Sequence, residues 1–240
     1  MNQFNMSSAV RLGDTAADSV LNRSAEMAAL ESHLDALQDH YRELRRSAAD
    51  PKELADLSLQ MARTLVGLER GAEAWGPARE CLDTFIVAED WESAADACDV
   101  MYQCGQPQSL AALGQGIWLG VTYPIDPELT VELLTHVVDD TPDDADGAAV
   151  AATAAMFVAD MRSSGNHRDN LMFFTSQILG NVARRHSNVQ TQAEFDLWMD
   201  RLELREPDKF LVRLRNVIDV LVQDDWWFDR DALHAKLPGD

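Results

Sequence analysis

Apolar residues recur along this chain every three or four positions, and the pattern stops and restarts at nearly regular intervals. Val20, Met27, Leu30, Leu34, Leu37, Tyr41 and Leu44 form a stripe that, after its first heptad, alternates steps of three and four. That spacing is the seam of a helix packed lengthwise on a partner. Asp50-Pro51-Lys52-Glu53 opens a second helix, with Asp to cap free N–H groups, proline in the first turn and Glu three residues on. Its stripe is Leu54, Leu57, Met61, Leu65 and Leu68. Further stripes fall at Trp75, Ala78, Leu82 and Phe85, then at Trp91, Ala94, Ala95, Cys98 and Met101, and then at Leu110, Leu113, Ile117 and Val121. Asp126-Pro127-Glu128 starts another helix, and an alanine-rich one runs from Gly147 to Asp160. Later stripes run through Leu171, Phe174, Ile178, Leu179 and Val182, through Phe195, Trp198, Met199 and Leu202, and through Phe210, Leu214, Val217, Ile218 and Leu221. No segment alternates with the period of two that a half-buried strand needs, and the proline in Thr122-Tyr123-Pro124 makes that patch a turn. The expected fold is all-α.

Helical hairpins begin near Asp50, Asp90, Asp126, Arg168 and Glu206, at intervals of 40, 36, 42 and 38 residues. Two helices per period of this length is the pattern of an α-solenoid. Ala112, Gly116, Leu119 and Pro124 are spaced as in the second helix of a tetratricopeptide repeat, which the hairpin region resembles. Gly116 stands where that family usually has an aromatic residue, Leu119 replaces a small one, and Trp91 lacks the Leu-Gly pair of the first helix. The resemblance is carried by the period and one half-motif. It implies a right-handed α-solenoid that binds other proteins; an irregular helical bundle of antiparallel hairpins is the competing architecture. The expected layout is a flexible tail over residues 1–13, one helical-hairpin domain over 14–223, and an aromatic and acidic cap or tail over 224–240.

Charge is distributed unevenly. Residues 80–161 hold sixteen Asp and Glu, no Lys or Arg, and one ionisable base, His136; they supply most of the formal net charge of −21. A surface of that sign repels nucleic acid and anionic membranes and favours basic partners. High-salt adaptation would explain the same bias as a solubility device. No run approaches 18 apolar residues, and the first thirty residues lack the basic head and apolar block of a signal peptide. Three cysteines, Cys81, Cys98 and Cys104, fit no metal spacing and read as buried reduced thiols of a cytoplasmic protein.

Candidate sites are few. Asp139, Asp140, Asp143, Asp144 and Asp146 precede Gly147, but an EF-hand register puts Pro142 at position one and Thr153 at the closing glutamate, so the loop reads as a solvated connection. His33 and His40 are two helical turns apart, too far to share an ion. His136 stands four residues after Glu132, a surface pair or an acid–base couple. Ser163-Ser164-Gly165-Asn166-His167 has no strand-to-nucleophile elbow. The glycines of Leu113-Gly-Gln-Gly-Ile-Trp-Leu-Gly120 lie in a helical stripe and mark close packing, not a phosphate loop. Residues 162–215 carry a local charge of about +2, with Arg184-Arg185-His186 at a helix end. Trp226, Trp227 and Phe228, between aspartates, either cap the final hairpin or anchor a partner.

No catalytic, cofactor or metal site is therefore expected. The chain reads as a non-catalytic interaction scaffold or assembly factor that holds a basic partner segment through Asp139, Asp140, Asp143 and Asp144, with Trp226, Trp227 and Phe228 as a second contact. An accessory or regulatory subunit of a larger enzyme complex is the alternative, and a helical enzyme whose carboxylates assemble only in space is the third. A contact between the acidic middle of one copy and the basic segment of another would make a homo-oligomer.

Overall fold

Aspartate followed by proline starts two of the helices in the way the sequence requires. In the computed structural model, which describes residues 7–237 with side chains from residue 22, Asp50 accepts from the Lys52 N–H and Asp126 from the Glu128 N–H, with Pro51 and Pro127 leading the first turns. Asp90 caps its helix through the Ser93 N–H. Eleven helices result among the described residues: α1 (Ser7–Arg46), α2 (Pro51–Gly67), α3 (Gly71–Val87), α4 (Trp91–Gln103), α5 (Ser109–Thr122), α6 (Pro127–Asp140), α7 (Asp146–Arg162), α8 (Gly165–Ser187), α9 (Gln192–Arg201), α10 (Pro207–Val222) and α11 (Arg230–His234). The fold is all-α, with no strand among the described residues. Nor is any described helix long and apolar enough to cross a membrane. Helix α1 already runs from Ser7, through part of the segment expected as a loose tail; residues 1–6 lie outside the described residues.

Each helix from α1 to α8 packs on the one that follows, and the short connections make neighbours antiparallel. Hairpins start at Pro51, Trp91, Pro127, Gly165 and Pro207. Only the fourth departs from its expected position, because Gly165, at φ +57°, turns the chain before Arg168 is reached. Helices α2, α4, α6 and α8 adjoin one another along one face, while α3, α5 and α7 lie behind them.

The glycines of α5 are spacing devices on three sides. A Cβ on Gly114 would fall 2.7 Å from Val222 of α10, one on Gly116 would fall 2.8 Å from Cys98 Cβ of α4, and one on Gly120 would fall 3.1 Å from Thr130 of α6. The alanines of α7 are buried in the same way. Cys81, Cys98 and Cys104 are buried and free, and burial raises all three thiols, Cys81 and Cys104 to about 11.

After α9 the chain departs from a simple solenoid. Helix α10 returns to pack on both α5 and α7, filling the space behind the hairpins. The segment after it then runs back toward the first hairpins as a strap. Trp227 meets Trp75 of α3 edge-on at 6.1 Å, and Arg79 of α3 lies 4.8 Å above its ring. Trp226 and Phe228 pack on Trp118 of α5. Gln115, buried in α5, accepts from the Trp227 N–H at 2.8 Å, Tyr123 donates to the Leu233 carbonyl, and Lys236 pairs with Glu89. The aromatic trio, expected either to cap the final hairpin or to anchor a partner, lies with all three rings half-buried over α3 and α5, and Phe210 pairs with Phe157. Residues 238–240 of the expected tail lie outside the described residues.

Candidate functional site

The acid-only stretch is neutralised in part from outside itself. Lys52 pairs with Asp90, Arg63 with Asp96, Arg79 with Asp83, Arg168 with Asp160, Arg213 with Asp146 and Lys236 with Glu89. The basic segment is spent inside the fold as well. Arg162 donates to the Gly120 and Val121 carbonyls at the end of α5, Arg185 to the Val138 carbonyl at the end of α6, and Arg213 to the Leu202 carbonyl after α9. Each guanidinium satisfies carbonyls that a helix terminus leaves open. Arg185 thus serves the end of α6 and not of α8, the helix it belongs to.

The acids that keep no Lys or Arg partner among the described residues include Asp99, Glu132, Asp139 and Asp140. Asp99 is on α4; Glu132, Asp139 and Asp140 are on α6. Asp99 is 4% exposed. One of its oxygens lies 2.9 Å from His136 Nε2, and the other accepts from the Gln103 amide. Tyr102, one turn from Asp99, lies against the His136 ring at 4.4 Å between centroids and donates its hydroxyl to Asp140 at 2.7 Å. Donor atoms of Asp99, Glu132 and His136 all come within 4.8 Å of one another.

Protonation in this cluster is displaced in one direction. Burial lowers His136, but the hydrogen bond to Asp99 and the charges of Asp99, Glu132 and Asp139 outweigh it, so the imidazole holds its proton above the ordinary value. Burial raises Glu132, and the Asp99 charge raises it further. Burial also raises Asp96 despite its bond to Arg63. The cluster attracts positive charge more strongly than isolated side chains would.

In front of it runs a groove of about 540 Å³ between α6 and α8. Glu128, Glu132, His136 and Asp139 line the α6 wall, and Asn170, Leu171 and Phe174 line the α8 wall. Phe174 was expected in the buried stripe of α8, yet it is 50% exposed beside Phe173 at 69%, because Leu171, Thr175, Leu179 and Val182 face the core instead.

The four aspartates expected to act together are therefore divided. Asp139 lines the groove, Asp140 holds Tyr102, Asp143 lies 3.7 Å from Arg185, and Asp144 is exposed in the loop. Trp226, Trp227 and Phe228, which follow α10, pack against Trp75 of α3 and Trp118 of α5. The sequence reading missed Asp99. Its signal was a carboxylate between Cys98 and Val100, within a run of residues otherwise small or apolar, where a charge is rarely buried without a purpose. Comparisons with protein-family models, curated proteins and solved structures find no match.

Proposed function

We propose that this chain is a non-catalytic helical scaffold, tetratricopeptide-like in layout, that holds a basic segment of a partner protein in the groove between α6 and α8. The carrying observation is the pairing of two unlike walls: carboxylates Glu128, Glu132 and Asp139 on α6 face Leu171 and the half-exposed Phe174 on α8. A lysine or arginine side chain suits such a site at both ends, since its stem packs on an apolar wall while its charge meets the carboxylates. A net charge of −21 supports a cationic protein over nucleic acid.

The reading is tested with a dye-labelled peptide built of lysine and leucine, titrated into the full chain across a salt series. Affinity should fall as salt rises, and should weaken about tenfold or more in Asp139→Asn and in Phe174→Ala. Equal affinity in both variants and at every salt concentration refutes the groove as the binding surface.

An accessory subunit bound permanently in a larger assembly is the second reading, and a different feature favours it. Met161 and Leu211 flank a small apolar cavity beside Phe157 and Val158, with Val212 exposed nearby. Such a subunit would co-purify with its complex through high salt.

A further inference from the structure

The cluster on α4 and α6 has the parts of a metal centre, a feature beyond the binding of a peptide. From the arrangement of its donors we infer that Asp99, Glu132 and His136 form a binding site for a divalent transition-metal ion such as Zn²⁺.

The donor set is mixed. One imidazole nitrogen and two carboxylates suit zinc, cobalt or manganese better than they suit calcium, which takes oxygen alone. The donors come from two helices: Glu132 and His136 share a face of α6 at i and i+4, and Asp99 approaches from α4. His136 Nε2 and Asp99 Oδ1 are 2.9 Å apart. Two ligands about 2.1 Å from one tetrahedral ion are themselves about 3.4 Å apart, so this hydrogen-bonded pair has to open by only about 0.5 Å to admit an ion. Glu132 is exposed, and its carboxylate lies within 4.8 Å of the other two donors. Three protein ligands leave the remaining coordination positions open toward the groove.

The surroundings hold the donors as a metal site requires. Gln103 fixes the second oxygen of Asp99, and Tyr102, anchored by Asp140, sets the plane of the His136 ring. Such supporting contacts orient ligands and are part of metal affinity. No lysine or arginine among the described residues pairs with Asp99; the nearby Arg63 is taken by Asp96, one turn earlier on α4. The basic neighbour of this buried carboxylate is His136, and an ion bound between the two would supply the charge that a neutral imidazole does not. The ion requires a neutral imidazole that keeps its remaining proton on Nδ1, so binding displaces a proton to solvent from the protonated ring.

The test is calorimetric titration of chelator-treated full-length protein with Zn²⁺, repeated in buffers of different ionisation heat, together with the visible absorption of the Co²⁺ form. The expected result is one ion per chain, with a buffer-dependent heat that reports proton release. His136→Gln and Glu132→Gln should each weaken binding by at least about tenfold. Both positions are partly or fully exposed, so both variants should fold, and circular dichroism verifies that. Wild-type protein without saturable binding overturns the inference, as does binding that either variant leaves unchanged, which would place the ion on another histidine. Because peptide is absent and Asp139 and Phe174 are untouched, this outcome is independent of the peptide titration.

Discussion

Gly116→Ala is expected to destabilise the protein by about 2 kcal/mol, although alanine is the better helix former. The new Cβ would lie 2.8 Å from Cys98 Cβ and 3.1 Å from Leu133 Cδ2. Carbon atoms pack best at about 3.5–4.0 Å, so α5 must retreat from α4 by close to 1 Å. Cys98 Cβ is fixed to the backbone and cannot turn aside. Overpacking of this kind costs about 1–3 kcal/mol, here at the upper end, and the helix propensity of alanine returns about 1 kcal/mol. Gly180→Ala is the control. It makes the same chemical change inside α8, where the added carbon meets only the flexible Arg184 side chain at 3.6 Å, an ordinary contact, and it should stabilise by about 0.5–1 kcal/mol. The two variants should therefore differ by about 3 kcal/mol in urea unfolding followed by far-ultraviolet circular dichroism. A further arm moves the missing carbon across the interface: in the double variant with Cys98→Gly, the Gly116→Ala penalty should shrink by about 1–2 kcal/mol relative to the sum of the single changes. Gly116→Ala as stable as wild type, or no coupling in the double variant, would refute close approach as the reason for this glycine.

Three other outcomes follow from the same structure. The His136 imidazole is held above its ordinary value of 6.5, so its contribution is fully present below that pH and is lost as pH rises through the raised value. The urea midpoint should accordingly fall from about pH 6 to about pH 8 in wild type and hold flatter in His136→Gln. Trp227→Ala removes the strap's contact with Trp75 and Arg79 and should cost about 2–3 kcal/mol, less than a fully buried tryptophan, with thermal unfolding as the measure. Gln223 ends α10 at φ +50° with its side chain in solvent, so Gln223→Gly should stabilise by about 0.5–1 kcal/mol in the same assay, and a loss of stability would refute strain at that residue.

The helices were legible because their determinants are local. A period of three and four residues decides which side chains share a face, and Asp50, Asp90 and Asp126 satisfy N–H groups only two or three residues away. Glycines 114, 116 and 120 could be read as packing residues, yet the three helices they admit could not be named. Charge behaved differently. Sixteen acids in one stretch implied an unneutralised face, but long basic side chains from α2, α8, α10 and the segment after α11 cross to several of them. Sequence proximity does not limit the reach of an ion pair.

Two features belonged to the tertiary structure alone. The return of α10 and the aromatic strap across α3 and α5 joins residues more than a hundred positions apart, such as Gln115 and Trp227. Apolar rings carry no address, so the surface they cover is chosen by which gap the packed helices leave open. The cluster of Asp99, Glu132 and His136 depends likewise on the angle between α4 and α6. Periodicity specifies that these two helices pack and which faces meet, whereas bringing a nitrogen and an oxygen to 2.9 Å is decided by their side-to-side spacing, which Gly116 and the small residues around it allow.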